Sequence, residues 1–220
     1  NDIIRRYDDE FIETLVNYIN FNLLKMINDK DYTIYILEKN KPRSNNTIVK
    51  DGIHIMIPDV VISNNALFHF RNSLVKDEHI IGLLNDIGNS TPIEDVIDES
   101  IIKKNAWFIY GNGKPQDIDS EDNILNYYRL THAFIHKKGS SDLKKMKSTK
   151  INTLHTENTY DLVKLFSNFG KEINTKIKSD INIDHIDIQL NLDNVATDNK
   201  LKFNFINSAN NSLSIDKIRD

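Results

Sequence analysis

The segment Asp51-Gly-Ile-His-Ile-Met-Ile-Pro58 has an isoleucine at every second position. This spacing is the period of a β-strand with one buried face. Strand alternation places His54 on the face opposite the isoleucines. If the isoleucine face is core, His54 faces outward or into a cleft; an ordinary half-exposed strand histidine is an equally good interpretation. Gly52, two positions before it, leaves room for a ligand close to the backbone.

A second strand is expected just upstream, and a basic connection joins it to the first. Residues Asp31–Glu38 are rich in β-branched and aromatic side chains, as strands are. The connection Lys39–Lys50 has no acidic residue and runs for twelve residues, whereas hairpin loops usually take about two to five. Such a loop is suited to follow a phosphate backbone, although a solvated surface loop is the plainer interpretation. Its cations are Lys39, Lys41, Arg43 and Lys50.

Helical periodicity in the rest of the chain predicts an α+β fold, with a small antiparallel or mixed sheet flanked by helices. Apolar residues at helical spacing, preceded by acidic residues, predict a helix from Asp9 to about Asn28. The segment Lys137–Lys150, with six lysines and one Asp, is interpreted as a mobile basic loop or linker. Further helices are predicted over Asn65–Leu74, Glu78–Asp86, Pro92–Lys103 and Thr159–Lys178, an apolar, aromatic segment over Leu125–Ile135, and a third strand over Ala106–Gly111.

Composition excludes several classes of protein. The chain has 220 residues and a formal net charge of −4, and it is long enough for a core without metal or disulfide staples. It has no cysteine, which excludes disulfides, thiolate zinc sites and cysteine nucleophiles. No apolar run reaches the roughly 18 residues that cross a bilayer, so we expect a soluble, intracellular protein without a membrane partner. Motifs of zinc peptidases, serine hydrolases, dinucleotide-binding folds and kinases are absent.

Two further segments carry residues that suit a metal ion or a phosphate. In Asp95-Val-Ile-Asp-Glu-Ser100, a carboxylate near the strand of His54 could bind a divalent ion, although such acids are more often solvent-facing charge. In Tyr110-Gly-Asn-Gly-Lys-Pro115, two glycines would let backbone amides and Lys114 approach an anion. An ordinary turn without a binding role is the more frequent interpretation of such a pattern.

Taken together and in this order, these segments resemble the archaeo-eukaryotic primase domain at the front of primase-helicases of large DNA viruses, of the poxvirus and giant-virus type. The resemblance covers about Arg5 to Leu130. It rests on Tyr35–Arg43 followed by Lys50–Pro58, and then on Val96–Ser100 followed by Asn105–Pro115. It implies template-dependent nucleotidyl transfer as the activity of the parent protein.

The resemblance also implies roles for individual residues. In this family the histidine contacts the phosphates of the incoming nucleotide, so that role falls to His54, with Lys50 and Gly52 beside it. Asp98 would be catalytic and would complete a site for two Mg²⁺ or Mn²⁺ ions. Lys114 would contact phosphate or template.

The implied partners are nucleoside triphosphates, a single-stranded DNA template and a helicase domain downstream in the parent chain. The basic connection would contact the nucleic acid through Lys39, Lys41 and Arg43. We expect the parent protein in the host cytoplasm or a viral factory. The alternative is a non-catalytic module that binds single-stranded nucleic acid or docks a helicase.

One departure from the family pattern concerns its leading metal-binding pair, two Asp separated by one residue, which should precede the helix at Asp9. Nothing in residues 1–8 supplies this pair. Asp29 and Asp31, and Asp117 and Asp119, have the spacing but lie elsewhere, and we interpret them as caps or surface acids. We therefore expect this chain alone to bind nucleotide or single-stranded DNA weakly and to polymerise nothing.

The same comparison suggests a division of the chain. Residues 1–135 would be the primase-like core, with its amino-terminal part missing. Residues 136–158 would be a basic linker or loop, and residues 159–220 a helical and β-stranded connector toward the helicase module.

Overall fold

The computed structural model describes residues 4–45, 48–103, 110–113, 126–157 and 159–166, together with two short strands near the end of the chain. The helices are α1 (Asp9–Leu24), α2 (Asn64–Val75), α3 (Glu78–Asp86), α4 (Ile93–Val96), α5 (Ser100–Lys103), α6 (Ser148–Glu157) and α7 (Thr159–Phe166). The strands are β1 (Tyr32–Lys39), β2 (Arg43–Asn45), β3 (Ile48–Lys50), β4 (Ile53–Met56), β5 (Tyr128–His136), β6 (Leu143–Lys145), β7 (Phe203–Ile206) and β8 (Ser212–Ile215).

Four strands form an antiparallel sheet in the order β4-β1-β5-β6. β1 lies inside this sheet, and its Ile36 is paired with Ile55 on one side and with His132 on the other. β2 and β3 form a separate hairpin, as do β7 and β8. The α+β architecture with a small antiparallel sheet, predicted from the sequence, is confirmed.

Helices cover both sides of the sheet. On one side, called the α1 face, Ile34 and Ile36 pack with α1, α2 and α3, and the three alternating isoleucines of the β4 segment join them. On the other side, called the α6 face, Leu37 and Leu130 pack with Ile151 of α6 and with α7. Since alternate strand residues point to opposite sides, the sequence period of two has produced two apolar layers.

The start of α1 agrees with the sequence, whereas its end comes earlier than expected. Asp8 caps the helix by accepting a hydrogen bond from the amide of Phe11 at 3.0 Å. The helix ends at Leu24 rather than near Asn28, because the amides of Met26 and Ile27 both donate to the Leu23 carbonyl in a closing turn. Both side chains are nevertheless buried in the core, which explains why the apolar pattern continues past the helix.

The segment Pro92–Lys103, expected to be one helix, contains two separate helical turns, α4 and α5. Ile97 has φ −92° and ψ 79°, outside the helical region, and so ends α4. Arg71 of α2 fixes this break, since its guanidinium donates to the carbonyls of Ile97 and Glu94.

Two connections that we expected to be loops contain regular structure. Lys39–Lys50 includes the β2–β3 hairpin, and Lys137–Lys150 includes β6 and the beginning of α6. The second connection is held by the pair Asp29 and Asp31, which accept hydrogen bonds from the backbone amides of Gly139 and Lys138. These two acids therefore fasten a turn. The domain division stays a prediction.

Three sequence predictions lie partly or wholly outside the described residues. Of the expected strand Ala106–Gly111, only residues 110 and 111 are described, and they form a turn. Lys114 is outside, and so is the part of the expected last helix that follows Phe166. Within the part of the chain that the structure describes, no helix combines the length and apolarity needed to cross a membrane.

Candidate functional site

His54 lies on the α6 face, opposite the isoleucines of its own strand. Its imidazole stacks on the phenol ring of Tyr128, with ring centroids 3.5 Å apart and planes inclined by 13°. The two residues come from β4 and β5, which are separated by β1: His54 is paired with Leu37, and Tyr128 with Lys39. The stacked rings therefore bridge the end of β1.

Two of the residues singled out from the sequence surround this stack. The Nζ atom of Lys39 lies 5.2 Å from the centre of the Tyr128 ring, a cation–π arrangement. Gly52 lies against the other end of the same side chain, since a Cβ atom built there would be 2.5 Å from Tyr128 Oη. We call Lys39, Gly52, His54 and Tyr128 the His54 cluster.

The surroundings keep the His54 imidazole neutral. Burial, assisted by the positive charge of Lys39, lowers its pKa from the usual 6.5 to about 4. A neutral imidazole has one N–H donor and one acceptor nitrogen. Near pH 7 the cluster therefore combines a neutral imidazole at His54 with the positive charge of Lys39.

Arg5, which sequence analysis did not single out, joins the strand and the turn on either side of the cluster. Its Nη1 donates to Glu38 Oε1 at 2.9 Å, and its Nη2 to the Lys39 carbonyl at 2.5 Å. Its Nε donates to Asp51 Oδ2 at 2.8 Å, and Asp51 Oδ1 in turn accepts from the Gly52 amide at 2.9 Å. One guanidinium thus fixes the backbone next to both Lys39 and Gly52.

Glu38 is a buried acid on the α1 face, with only 4% of its side chain exposed. Burial raises the pKa of its carboxyl group, but hydrogen bonds involving His132 and Thr131 and the charge of Arg5 lower it by more, so the net pKa is below the ordinary value. Glu38 therefore remains ionised and holds Arg5. No local sequence pattern indicates this network, because Arg5 and Thr131 lie 33 and 93 residues away from Glu38.

The hairpin of β2 and β3, which we call the basic hairpin, lies next to the His54 cluster. Arg43 of β2 is paired with Lys50 of β3, so two cations share one cross-strand position. Its base is anchored by Asn126, whose side-chain amide donates to the Lys41 carbonyl at 2.7 Å. The fold therefore brings the predicted nucleic-acid-binding residues to the end of β1, near Lys39.

Asp98 lies between α4 and α5, close to Arg71 of α2. Its carboxylate caps α5: Oδ1 accepts from the Ser100 amide at 2.8 Å and Oδ2 from Ser100 Oγ at 2.7 Å. These hydrogen bonds lower the pKa of the Asp98 carboxyl group. Its partners Ser100 and Arg71 belong to α5 and α2, and the assignment of Asp98 to a metal ion stays a prediction.

The described side chains do not gather the donors that a bound metal ion needs. Among the described residues there is no group of three or more His, Asp or Glu side chains that could hold a metal ion. Asp98 by itself provides one carboxylate, whereas a protein-bound Mg²⁺ usually takes one or two carboxylates together with substrate phosphates. The described residues therefore do not build a complete metal site, and the assignment of Mg²⁺ or Mn²⁺ stays a prediction.

Comparison with known proteins agrees with the resemblance found in the sequence. The family described as "C962R protein N-terminal AEP domain", where AEP stands for archaeo-eukaryotic primase, matches residues 3–134. This range includes the whole His54 cluster and Arg5. A stretch of 133 residues is also 27% identical to the Acanthamoeba polyphaga mimivirus protein named "Putative helicase L207/L206".

The match with the mimivirus protein covers 60% of this chain but 13% of that protein, so the chain corresponds to a small part of its relative. The family match extends over more than half of the chain and includes β1, β4 and most of β5 of the central sheet. On these grounds the chain belongs to the family of the C962R protein N-terminal AEP domain.

Proposed function

We propose that this chain forms the nucleotide-binding part of a viral primase that makes primers by template-dependent nucleotidyl transfer. The observation that carries the proposal is the position of His54: a neutral imidazole, stacked on Tyr128, next to Lys39 and the close-packed Gly52. Membership of the primase family supports the same role.

The His54 cluster suits the phosphates of a nucleoside triphosphate. A phosphate oxygen accepts a hydrogen bond from the neutral imidazole, and the charge of Lys39 offsets part of the negative charge of the phosphates. Stacking on Tyr128 restricts the orientation of the His54 ring, so little freedom is left to lose when the nucleotide binds. Positioning and electrostatic stabilisation supply most of the catalysis in phosphoryl transfer.

In such a reaction, divalent ions neutralise the charge of the leaving pyrophosphate. The described residues do not complete a site for these ions, so the proposal assigns them no metal-dependent step. Their part is to bind and orient the triphosphate. The further assignments of Asp98 to a metal ion and of Lys114 to phosphate or template belong to the same proposal and rest on the family resemblance.

A role in DNA replication follows from the proposal. The template would be single-stranded DNA, held by the connection Lys39–Lys50 through Lys41 and Arg43. The mimivirus relative is named as a helicase, which supports a helicase module as the partner within a longer parent protein.

The alternative is a non-catalytic module that binds single-stranded nucleic acid or docks a helicase. The absence of a metal-binding group among the described residues favours it. It predicts DNA binding through the Lys39–Lys50 and Lys137–Lys150 segments without any requirement for His54.

Two measurements test the proposal. Calorimetric titration of this chain with ATP should show weak binding that His54→Ala abolishes and His69→Ala, a change at an exposed histidine of α2, leaves intact. Primer synthesis on single-stranded DNA, with Mg²⁺ or Mn²⁺ and labelled nucleotides, should occur with a version extended upstream and be lost on His54→Ala.

The outcomes separate the two functions. ATP binding that does not depend on His54, or synthesis that survives His54→Ala, contradicts the proposal. DNA binding without synthesis by either form supports the non-catalytic module.

A further inference from the structure

The strands β1 and β4 separate beside the His54 cluster. Their pairing ends at Glu38 and Ile53. In this antiparallel register the next opposed residues are Lys39 and Gly52, and from them the chain leads into the basic hairpin. We call the opposed residues Lys39 and Gly52 the strand fork.

Both sides of the strand fork contact Tyr128, the ring on which His54 stacks. Lys39 Nζ lies 5.2 Å from the centre of the Tyr128 ring, and a Cβ atom built at Gly52 would lie 2.5 Å from Tyr128 Oη. The width of the strand fork therefore decides where Lys39 and the phenol lie. A wider fork would move the charge of Lys39 away from His54 and admit water to the imidazole.

The guanidinium of Arg5 bridges the strand fork. Its Nη2 donates to the Lys39 carbonyl at 2.5 Å, and its Nε to Asp51 Oδ2 at 2.8 Å. Asp51 Oδ1 accepts from the Gly52 amide at 2.9 Å, which carries the bridge to the second strand. Because the donors of a guanidinium lie in one plane with fixed directions, they allow only a narrow range of distances between the acceptors. Arg5 thus holds the two strands together where their own pairing has ended.

Arg5 is itself anchored in the interior of the protein. Its Nη1 donates to Glu38 Oε1 at 2.9 Å, and the Glu38 side chain is only 4% exposed. Its guanidinium carbon lies 4.9 Å from the centre of the Tyr7 ring, which packs against the core on the α1 face. Partly buried ion pairs are screened by salt much less than exposed ones. The bridge is therefore a fixed part of the fold.

We propose that Arg5 and Asp51 are positioning residues for the nucleotide at His54: by bridging the strand fork they set the affinity of a site to which they do not themselves belong. This inference rests on the proposed function, because it takes a nucleoside triphosphate as the ligand of the His54 cluster. It gives the segment before α1, in which the sequence shows no metal-binding pair, a part in nucleotide binding.

Two substitutions separate the bridge from the charges that form it. Arg5→Lys keeps the positive charge but loses the planar group that spans the acceptors. Asp51→Asn removes one negative charge and leaves one acceptor oxygen in place of two. By charge alone Asp51→Asn should strengthen the binding of an anion, whereas loss of the bridge should weaken it. The sign of the change therefore distinguishes the two effects.

ATP binding is measured by calorimetry at one pH and one salt concentration, and the His54 ring is titrated by NMR without ATP. Arg6→Lys is the matched control for Arg5→Lys, since Arg6 donates an exposed hydrogen bond to the Gly88 carbonyl. Asp142→Asn, in the turn that follows the far end of β5, is the matched control for the removed negative charge. Amide spectra of the same NMR samples show whether each variant is folded.

Arg5→Lys and Asp51→Asn should each weaken ATP binding at least about fivefold, whereas the two control variants should change it less than about twofold. Both should also raise the pKa of His54 above its value of about 4, because Lys39 moves away and water reaches the ring. A loss of stability alone would not change this pKa in the folded protein.

The inference is overturned if either variant binds ATP as tightly as the unmodified chain or more tightly, or if the pKa of His54 is unchanged in either. Equal losses of ATP affinity in the variants and in their controls would overturn it as well. Failure of the proposed function is a different result: the unmodified chain does not bind ATP, or His54→Ala leaves ATP binding unchanged.

Discussion

The imidazole of His54 and the phenol of Tyr128 lie nearly parallel, with their centroids 3.5 Å apart, although they belong to strands that are not neighbours in the sheet. This contact fixes the orientation of the His54 ring, and burial keeps the ring neutral by lowering its pKa. The charge of Lys39 and the absence of a side chain at Gly52 complete its surroundings. The proposed phosphate site depends on these four residues remaining together.

Gly52→Ala should displace Tyr128, because the added Cβ would lie 2.5 Å from Tyr128 Oη, closer than real contacts allow. We expect a loss of about 1–3 kcal/mol in the free energy of unfolding, typical of overpacking. In a Tyr128→Phe background the nearest atom would be a ring carbon at 3.4 Å, so the same substitution should cost much less. Urea denaturation of the four proteins of this double-mutant cycle measures the difference. Equal costs in both backgrounds would show that Oη is not the obstacle.

Lys39→Ala should raise the pKa of His54, because the neighbouring positive charge disfavours the imidazolium ion. The rise should be partial, since burial is the larger cause of the lowered pKa and remains. NMR titration of the His54 ring measures it, with Lys76→Ala, an exposed lysine at the end of α2, as the control. A His54 pKa that is the same in both variants contradicts the proximity of Lys39.

Arg5→Ala should lower the free energy of unfolding by about 2 kcal/mol, because the buried carboxylate of Glu38 then loses a charged hydrogen-bond donor. Arg5→Lys keeps the charge but not the planar fork and should recover only part of the loss. Arg6→Ala, which removes one exposed hydrogen bond to the Gly88 carbonyl, should cost about 0.5 kcal/mol or less. Chemical denaturation compares the three variants. Similar losses for Arg5→Ala and Arg6→Ala would show that the contacts of Arg5 stabilise the fold no more than the single hydrogen bond of Arg6 does.

The ionised form of Glu38 should stabilise the fold, with a definite pH dependence. Its folded-state pKa lies below the ordinary value of 4.5, so its contribution is present above pH 4.5 and disappears as the pH falls through the folded-state pKa. The stability difference between the unmodified chain and Glu38→Gln should therefore be constant well above pH 4.5 and shrink as the pH falls below 4.5 toward the folded-state pKa. Denaturation at a series of pH values measures it, with exposed Glu157→Gln as the control. A difference that is constant over this range would mean that the ionisation of Glu38 is not coupled to folding.

Much of the fold follows from local pattern. The period-two isoleucines of the β4 segment and the helical spacing of α1, α2 and α3 were sufficient to predict these elements and to place His54 on the face away from the isoleucines. Family resemblance then predicted that the histidine strand holds the nucleotide site, and this assignment stays a prediction. Local pattern was insufficient for the hairpin in Lys39–Lys50 and for β6, because short strands of polar residues have little hydrophobic periodicity.

The partners of His54 could not be predicted in the same way. Tyr128 is 74 positions later in the chain and contacts His54 only because β1 pairs with both β4 and β5. Arg5 reaches Glu38 and Asp51 from the segment before α1, and no spacing rule connects these positions. Such contacts arise because segments that are distant in the chain pack together. The spacing of residues along the sequence does not predict which segments these are.

The central claim is that His54 binds nucleotide phosphates, and NMR titration of its imidazole with and without ATP tests it most directly. Without ATP, His54 should titrate near its lowered pKa of about 4. Bound phosphates should raise this pKa, because nearby negative charge stabilises the imidazolium ion. A His54 titration midpoint that ATP leaves unchanged would contradict the account.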